Sequence, residues 1–147
     1  MKLSTRSTYG VRAMLALALA HGGKPIMVRE IAQRQHLPPS YLEQLMTQLR
    51  KAGLVSATRG ARGGYLLARP PGEITVADVL EVLEGPLAVA DCPAGVGCCS
   101  QPGACALIDL WAEASQGLAH VFGRLTLADL AERQRAKEAS PVLMYSI

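Results

Sequence analysis

Residues 40–68, SYLEQLMTQLRKAGLVSATRGARGGYLLA, constrain the fold of this chain more than any other stretch. Leu42, Leu45, Met46 and Leu49 recur at i, i+3, i+4 and i+7. That spacing puts all four on one side of a helix and leaves the other side polar. Gly53 ends the helix, and two short apolar runs follow, at 54–58 and 65–68, separated by Arg59, Gly60, Ala61, Arg62 and two more glycines. Apolar runs bounded by a Gly-rich turn read as a β-hairpin. A helix that is half apolar, followed at once by a small hairpin, needs other elements to bury both.

The upstream sequence supplies them. Thr5 to about Ala20 is rich in Ala and Leu and stops at Gly22-Gly23, which predicts a first helix. Met27 to Gln35 predicts a short second helix with Val28, Ile31 and Ala32 on one face. Downstream of the Pro70-Pro71-Gly72 break, Thr75-x-x-Asp78 reads as a helix N-terminal cap ahead of Val76, Val79, Leu80 and Leu83. Three helices and a hairpin in this order, with a small gap between the second and third, predict a winged helix-turn-helix. The fold class expected is therefore mainly α, a winged helix-turn-helix DNA-binding domain plus a long dimerisation helix. One small domain of this kind suits a chain of 147 residues that is half hydrophobic and carries a single Trp and a single Phe.

The charge distribution points the same way. Residues 1–70 hold eleven Lys/Arg against two Glu, net +9, and residues 71–147 hold four against ten Asp/Glu, net −6. A basic front half suits a polyanion. On the third helix Ser40, Tyr41, Glu43 and Gln44 face outward with Thr47 and Gln48, and these types hydrogen-bond base edges. Arg59 and Arg62 flank the hairpin tip, where guanidinium groups reach a minor groove or phosphates. Two plainer readings stand beside these. Ser40-x-x-Glu43 also has the form of a capping box, and Arg59 and Arg62 also suit a solvated turn. No Ser/His/Asp arrangement, phosphate-cradling loop or pair of carboxylates set for acid–base work is present, so an enzyme is not expected.

The second half carries different chemistry. All four cysteines, Cys92, Cys98, Cys99 and Cys105, lie within fourteen residues of a Gly/Pro-rich segment. The N-terminal run Ala13–Ala20 has some features of a secretory signal, but it is short, abuts Arg12 and continues into helical sequence. A cytoplasmic protein with no membrane span is expected, and there such clusters bind metal or act in redox chemistry more often than they form structural disulfides. Converging thiolates can hold zinc or an iron–sulfur cluster. The Cys-x2-Cys spacing of zinc fingers is absent, and a reversible thiol switch or inert cysteines remain the alternatives. Counting back from Cys105, at the start of a helix, favours Cys99 over its neighbour Cys98 as the third ligand, although the sequence leaves that choice open. Beyond the cysteines, Leu107, Trp111, Ala114, Leu118, Val121 and Leu125 step by 4, 3, 4, 3 and 4. Such an a/d seam packs on its own domain or, as expected here, on a second copy. Thr126-x-x-Asp129 caps a last helix reaching about Ala139.

Three blocks, MKLSTRSTYGVRAML, SYLEQLMTQLRKAGLVSATRGARGGYLL and the C…CC…C…LW pattern, resemble the IscR/NsrR-type family of bacterial winged-helix transcription regulators over roughly residues 1–138. The resemblance implies a homodimeric repressor or activator bound to a palindromic double-stranded DNA operator. It implies that Ser40, Tyr41, Glu43 and Gln44 lie on the recognition helix and Arg59 on the wing. In cluster-bearing members three cysteines hold a 2Fe–2S or 4Fe–4S cluster whose state sets operator affinity. Some members add a His three residues after the last cysteine, where this chain has Ile108. Others borrow a ligand from the partner's first helix, near positions held here by Thr8 and Arg12. The extra cysteine of the Cys98-Cys99 pair, Asp91, Asp109 or an exogenous ligand then stands as the candidate fourth ligand. The expected organisation is a DNA-binding domain at 1–84, a cluster loop at 85–106, a dimerisation region at 107–139 and a tail at 140–147. Two rivals from other classes are a small electron-transfer protein using the winged domain for docking, and a cluster-free interaction subunit.

Overall fold

The computed structural model describes residues 3–90 and 105–140. Its elements are α1 (Thr5–Leu19), α2 (Val28–Gln35), α3 (Pro39–Lys51), β1 (Val55–Thr58), β2 (Gly64–Leu67), a 3-10 turn (Pro71–Glu73), α4 (Val76–Glu84), α5 (Ala106–Arg124) and α6 (Leu127–Ala139). This is a mainly helical winged helix-turn-helix, as the sequence predicts. Ser4 caps α1 by accepting a hydrogen bond from the Ser7 amide. Alanines let α1 approach its neighbours closely: Ala13, Ala16 and Ala18 are buried with Met14 and Leu17. At Gly10 the approach is closest, for a Cβ there would overlap Leu83 of α4.

The α3 stripe is buried as its spacing requires. Leu42, Leu45, Met46 and Leu49 are each at most 1% exposed and join α1, α2 and α4 in one core. Truncating any one of them to Ala should cost about 2–5 kcal/mol. Gly53 follows α3 with φ +76°, a left-handed conformation that glycine adopts without Cβ strain. The chain then turns into the antiparallel wing, with Val55 opposite Leu67 and Thr58 opposite Gly64. Ile26, just before α2, pairs with Tyr65 of β2 through two hydrogen bonds, Ile26 N–H to Tyr65 O at 3.0 Å and Tyr65 N–H to Ile26 O at 2.8 Å. The wing is thereby tied to the start of α2.

Both threonine caps form full capping boxes. Thr75 and Thr126 each accept from the amide three residues on, and Asp78 and Asp129 each accept from the capping residue's own amide. The two helix starts are joined by Val76 N–H to Leu125 O at 2.8 Å and Leu127 N–H to Ile74 O at 2.9 Å. This pairing folds α6 back onto α1, with Leu127 and Ala131 buried in the common core.

The expected seam on α5 divides into two faces. Ile108, Trp111, Ser115, Leu118 and Phe122 are half-buried on the side turned to α4, where Ser115 Oγ accepts from Val89 N–H at 3.0 Å. Leu107, Leu110 and Val121 lie on the adjoining side and are about half exposed, at 53%, 49% and 52%. The apolar sector of α5 is thus wide enough for two partners, and the described residues cover only one part of it. Among the described residues, no helix is long and apolar enough to cross a membrane.

Candidate nucleic-acid interface

The start of α3 decides how its polar face is presented. Pro38 is the N-cap and Pro39 the first helical residue, with no side-chain cap bond. Proline suits this place because its φ is already helical and it has no amide needing a partner. The helix therefore begins before Ser40, and the Ser40–Glu43 capping box allowed by the sequence does not form. Ser40, Glu43 and Gln44 all stand exposed on the first turns. Thr47, one turn further, is half-buried and its hydroxyl donates to Glu43 O at 2.9 Å. Tyr41 is different: it is half-buried, and its ring meets Tyr9 of α1 edge-on with centroids 6.0 Å apart. Such a pair contributes about 0.5–1.5 kcal/mol beyond burial, so Tyr41 also braces the recognition helix against α1.

Facing α3 across a cleft of about 520 Å³ is the wing. Glu43 and Thr47 form one wall, Met27, Val28 and Arg29 at the start of α2 another, and the wing from Ala57 to Tyr65 the third. Arg59 and Arg62 are exposed at the tip, around a turn closed by Gly63 N–H to Gly60 O at 2.9 Å. Among the described residues the ion pair formed is Arg34 with Glu30 along α2, so neither tip arginine is neutralised by a described carboxylate. Arg29 was not singled out by sequence reasoning. An exposed Arg on a short helix carries no local signal, and only the fold sets it opposite Glu43.

The cysteine segment connects α4 to α5 in sequence. Cys92, Cys98 and Cys99 lie outside the described residues, as does Asp91. Cys105 is the N-cap residue of α5, half-exposed and with a free thiol, at the positive end of the helix. Ile108 donates its amide to Cys105 O at 3.1 Å and is half-buried, while Asp109, Thr8 and Arg12 are exposed. Among the described residues no three His, Cys, Asp or Glu side chains converge on a metal position.

On the upstream side the last turn of α4 is locked to α1. Glu84 accepts from the hydroxyl of Ser4, from the Ser4 amide at 3.2 Å and from the Ser7 hydroxyl at 2.7 Å. Arg6 donates to Leu83 O at 3.2 Å. These hydroxyls, Ser4 foremost and then Ser7, hold the Glu84 carboxyl below the usual glutamate range.

A solvent-facing polar helix, a Gly/Arg wing and a shared cleft define a winged helix-turn-helix protein of the DNA-binding class. The match to known proteins is specific: residues 3–133 fit the family model described as "Rrf2: Iron-dependent Transcriptional regulator". The chain is 42% identical over 131 residues to the HTH-type transcriptional regulator CymR of Bacillus subtilis, covering 89% of this chain and 90% of that protein. Among solved structures it is similar to B. subtilis CymR, titled a global cysteine regulator (39% identity, TM-score 0.76, 90% of this chain and 98% of that one). It is also similar to an IscR from T. potens (37% identity, TM-score 0.79, 99% and 96%). The chain belongs to the Rrf2 family of transcriptional regulators, and its relatives are regulators rather than enzymes.

Proposed function

We propose that the protein is a cytoplasmic, homodimeric, sequence-specific regulator that binds a palindromic DNA operator with an affinity set by an iron–sulfur cluster on its cysteine segment. The observation that carries the DNA reading is the cleft itself, with Glu43 and Thr47 of α3 on one side and an Arg-tipped wing on the other, beside the exposed Ser40 and Gln44 of the same helix. With α3 in a major groove, Ser40, Glu43 and Gln44 meet base edges, and Glu43 suits the cytosine amino group. Tyr41 fixes the helix angle through Tyr9 while its outer edge reaches the duplex. Arg59 and Arg62 serve the adjacent minor groove and its phosphates.

A second copy supplies the second half-site. The exposed residues Leu107, Leu110 and Val121 of α5 form an apolar face of the kind a two-fold dimer buries. Two recognition helices related by that symmetry read half-sites about one helical turn apart, roughly 34–36 Å. The operator is then palindromic because the protein is.

Cys92, Cys99 and Cys105 are the proposed cluster ligands, with Cys98 a reserve or fourth thiolate. The donor set fits: a free, half-exposed thiol at a helix start, and three more cysteines within the preceding thirteen residues. Thiolates are the usual ligands of 2Fe–2S and 4Fe–4S clusters. When bound, the cluster supplies a group sensitive to oxidation, iron supply or nitric oxide. The chain's own contribution is to anchor the segment at both ends, through Glu84 and Val89 upstream and α5 downstream. A second reading, a cluster-free thiol switch, is favoured by the likeness to the global cysteine regulator. Anaerobic purification of untagged protein, with an absorption spectrum and iron and sulfide counts, separates the two. Visible absorption with stoichiometric iron and sulfide supports the cluster, and a colourless, iron-free protein supports the switch.

A further inference from the structure

The cleft between α3 and the wing has a consequence for how this chain meets DNA. The major groove and the adjacent minor groove are separated by one sugar–phosphate strand. A protein with its recognition helix in the first and its wing in the second must seat that strand between them. In this chain the space between the two elements is the cleft of about 520 Å³. Gly60, Gly63 and Gly64 on its wing side present backbone with no side chain, which permits close approach. The charged side chains lining it are Arg29 and Glu43.

These two charges have opposite effects on a phosphate. Glu43 is exposed and repels it. Arg29 is exposed on the first turn of α2 and attracts it. The carboxylate beside Arg29 in sequence, Glu30, is engaged by Arg34, which leaves the Arg29 guanidinium for the cleft. We infer that the cleft seats a DNA sugar–phosphate strand, that Arg29 holds its phosphate, and that Arg29 offsets Glu43 so that Glu43 can read a base edge at little cost in affinity. Arg29 thus determines specificity by acting through Glu43. The inference rests on the DNA-binding reading above and adds a residue and a charge balance to it.

The test uses the full chain and a duplex selected from a randomised pool by the unmodified protein. Affinity is measured across a salt series for the parent protein, Arg29→Ala, Glu43→Gln, the double variant and Arg29→Lys. Arg29→Ala should bind about tenfold more weakly, with the salt slope reduced by about one, the signature of one lost phosphate contact. In the Glu43→Gln background the same change should cost about the same factor, because the attraction of the phosphate to Arg29 is lost either way, whereas Glu43→Gln alone should tighten binding to unselected duplex and the double variant should return close to the parent there. Arg29→Lys should keep the slope and recover part of the affinity, as a point charge without the guanidinium fork. Thermal unfolding should be unchanged throughout, since both side chains are exposed. Unaltered affinity and slope in Arg29→Ala, with the parent still preferring its selected duplex, would overturn the inference and leave the DNA reading standing. A double variant that binds unselected duplex no better than Arg29→Ala alone would overturn the charge balance, and a parent with no preference for any duplex would bring down both readings.

Discussion

Replacing Gly64 by alanine tests whether the wing is held as rigidly as its contacts require. A Cβ at this position would lie 2.5 Å from the carbonyl carbon and oxygen of Ile26 and 2.9 Å from its nitrogen. These are backbone atoms, so no side chain can swing away, and strand β2 must move off Ile26. The move breaks the two Ile26–Tyr65 hydrogen bonds, worth about 1 kcal/mol each, and overpacking costs about 1–3 kcal/mol more. The expected loss is about 3–5 kcal/mol, or roughly 6–20 °C in melting temperature for a chain of this size. Thermal and urea unfolding at matched protein concentration measure it, with Gly72→Ala as control because a Cβ there meets nothing within 4 Å. At low temperature, where Gly64→Ala is still folded, its DNA affinity should fall at least as far as that of Arg59→Ala. Stability within about 0.5 kcal/mol of the parent, together with undiminished binding, would refute the tie between wing and α2.

Glu43→Ala should relax base preference at one operator position and leave the melting temperature unchanged, since Glu43 caps nothing; a selection experiment and a melt report the two separately. Arg59→Ala should weaken binding to all duplexes alike, which competition with random DNA reveals. Leu110→Glu and Val121→Glu should shift the protein from dimer to monomer in sedimentation, while far-ultraviolet circular dichroism stays the same. Because the folded-state pKa of Glu84 is lowered, its contribution to stability is present above the usual glutamate range and is lost as pH falls through the lower folded value. Glu84→Gln should therefore lower stability near neutrality and flatten the acid limb of the stability–pH curve, so that parent and variant converge at low pH. Under anaerobic purification, Cys92→Ser, Cys99→Ser and Cys105→Ser should each abolish visible absorption and Cys98→Ser should retain most of it; the reverse result for Cys98 and Cys99 exchanges their roles.

Much of the fold was legible because its signals are local. The α3 stripe, the Thr75 and Thr126 boxes and the Gly-rich wing each occupy a few consecutive residues, and each formed where the pattern put it. The Ser40–Glu43 box failed for an equally local reason: Pro38-Pro39 starts the helix earlier, so Ser40 is inside it. The α5 seam was read as one line because a broad apolar sector satisfies a 3–4 spacing along more than one row. Which row faces α4 depends on the tertiary arrangement. Two features had no sequence signal at all. Ser4 and Glu84 are eighty positions apart, and Arg29 gains its meaning only from the cleft that sets it opposite Glu43. At the cysteines the spacing suggested a ligand set, and of the four Cys105 is the one whose place in the fold is described.

Sequence-specific DNA binding by the α3–wing face is open to one direct measurement. Anaerobically purified protein is offered a randomised duplex pool, and its affinity for the enriched sequence is compared with that for unselected duplex at one fixed salt concentration. The enriched sequence should be an imperfect palindrome bound at least about 10³-fold more tightly than random DNA, the lower end for specific regulators. Binding that is equally tight to both, and that disappears uniformly as salt is raised, would contradict the account.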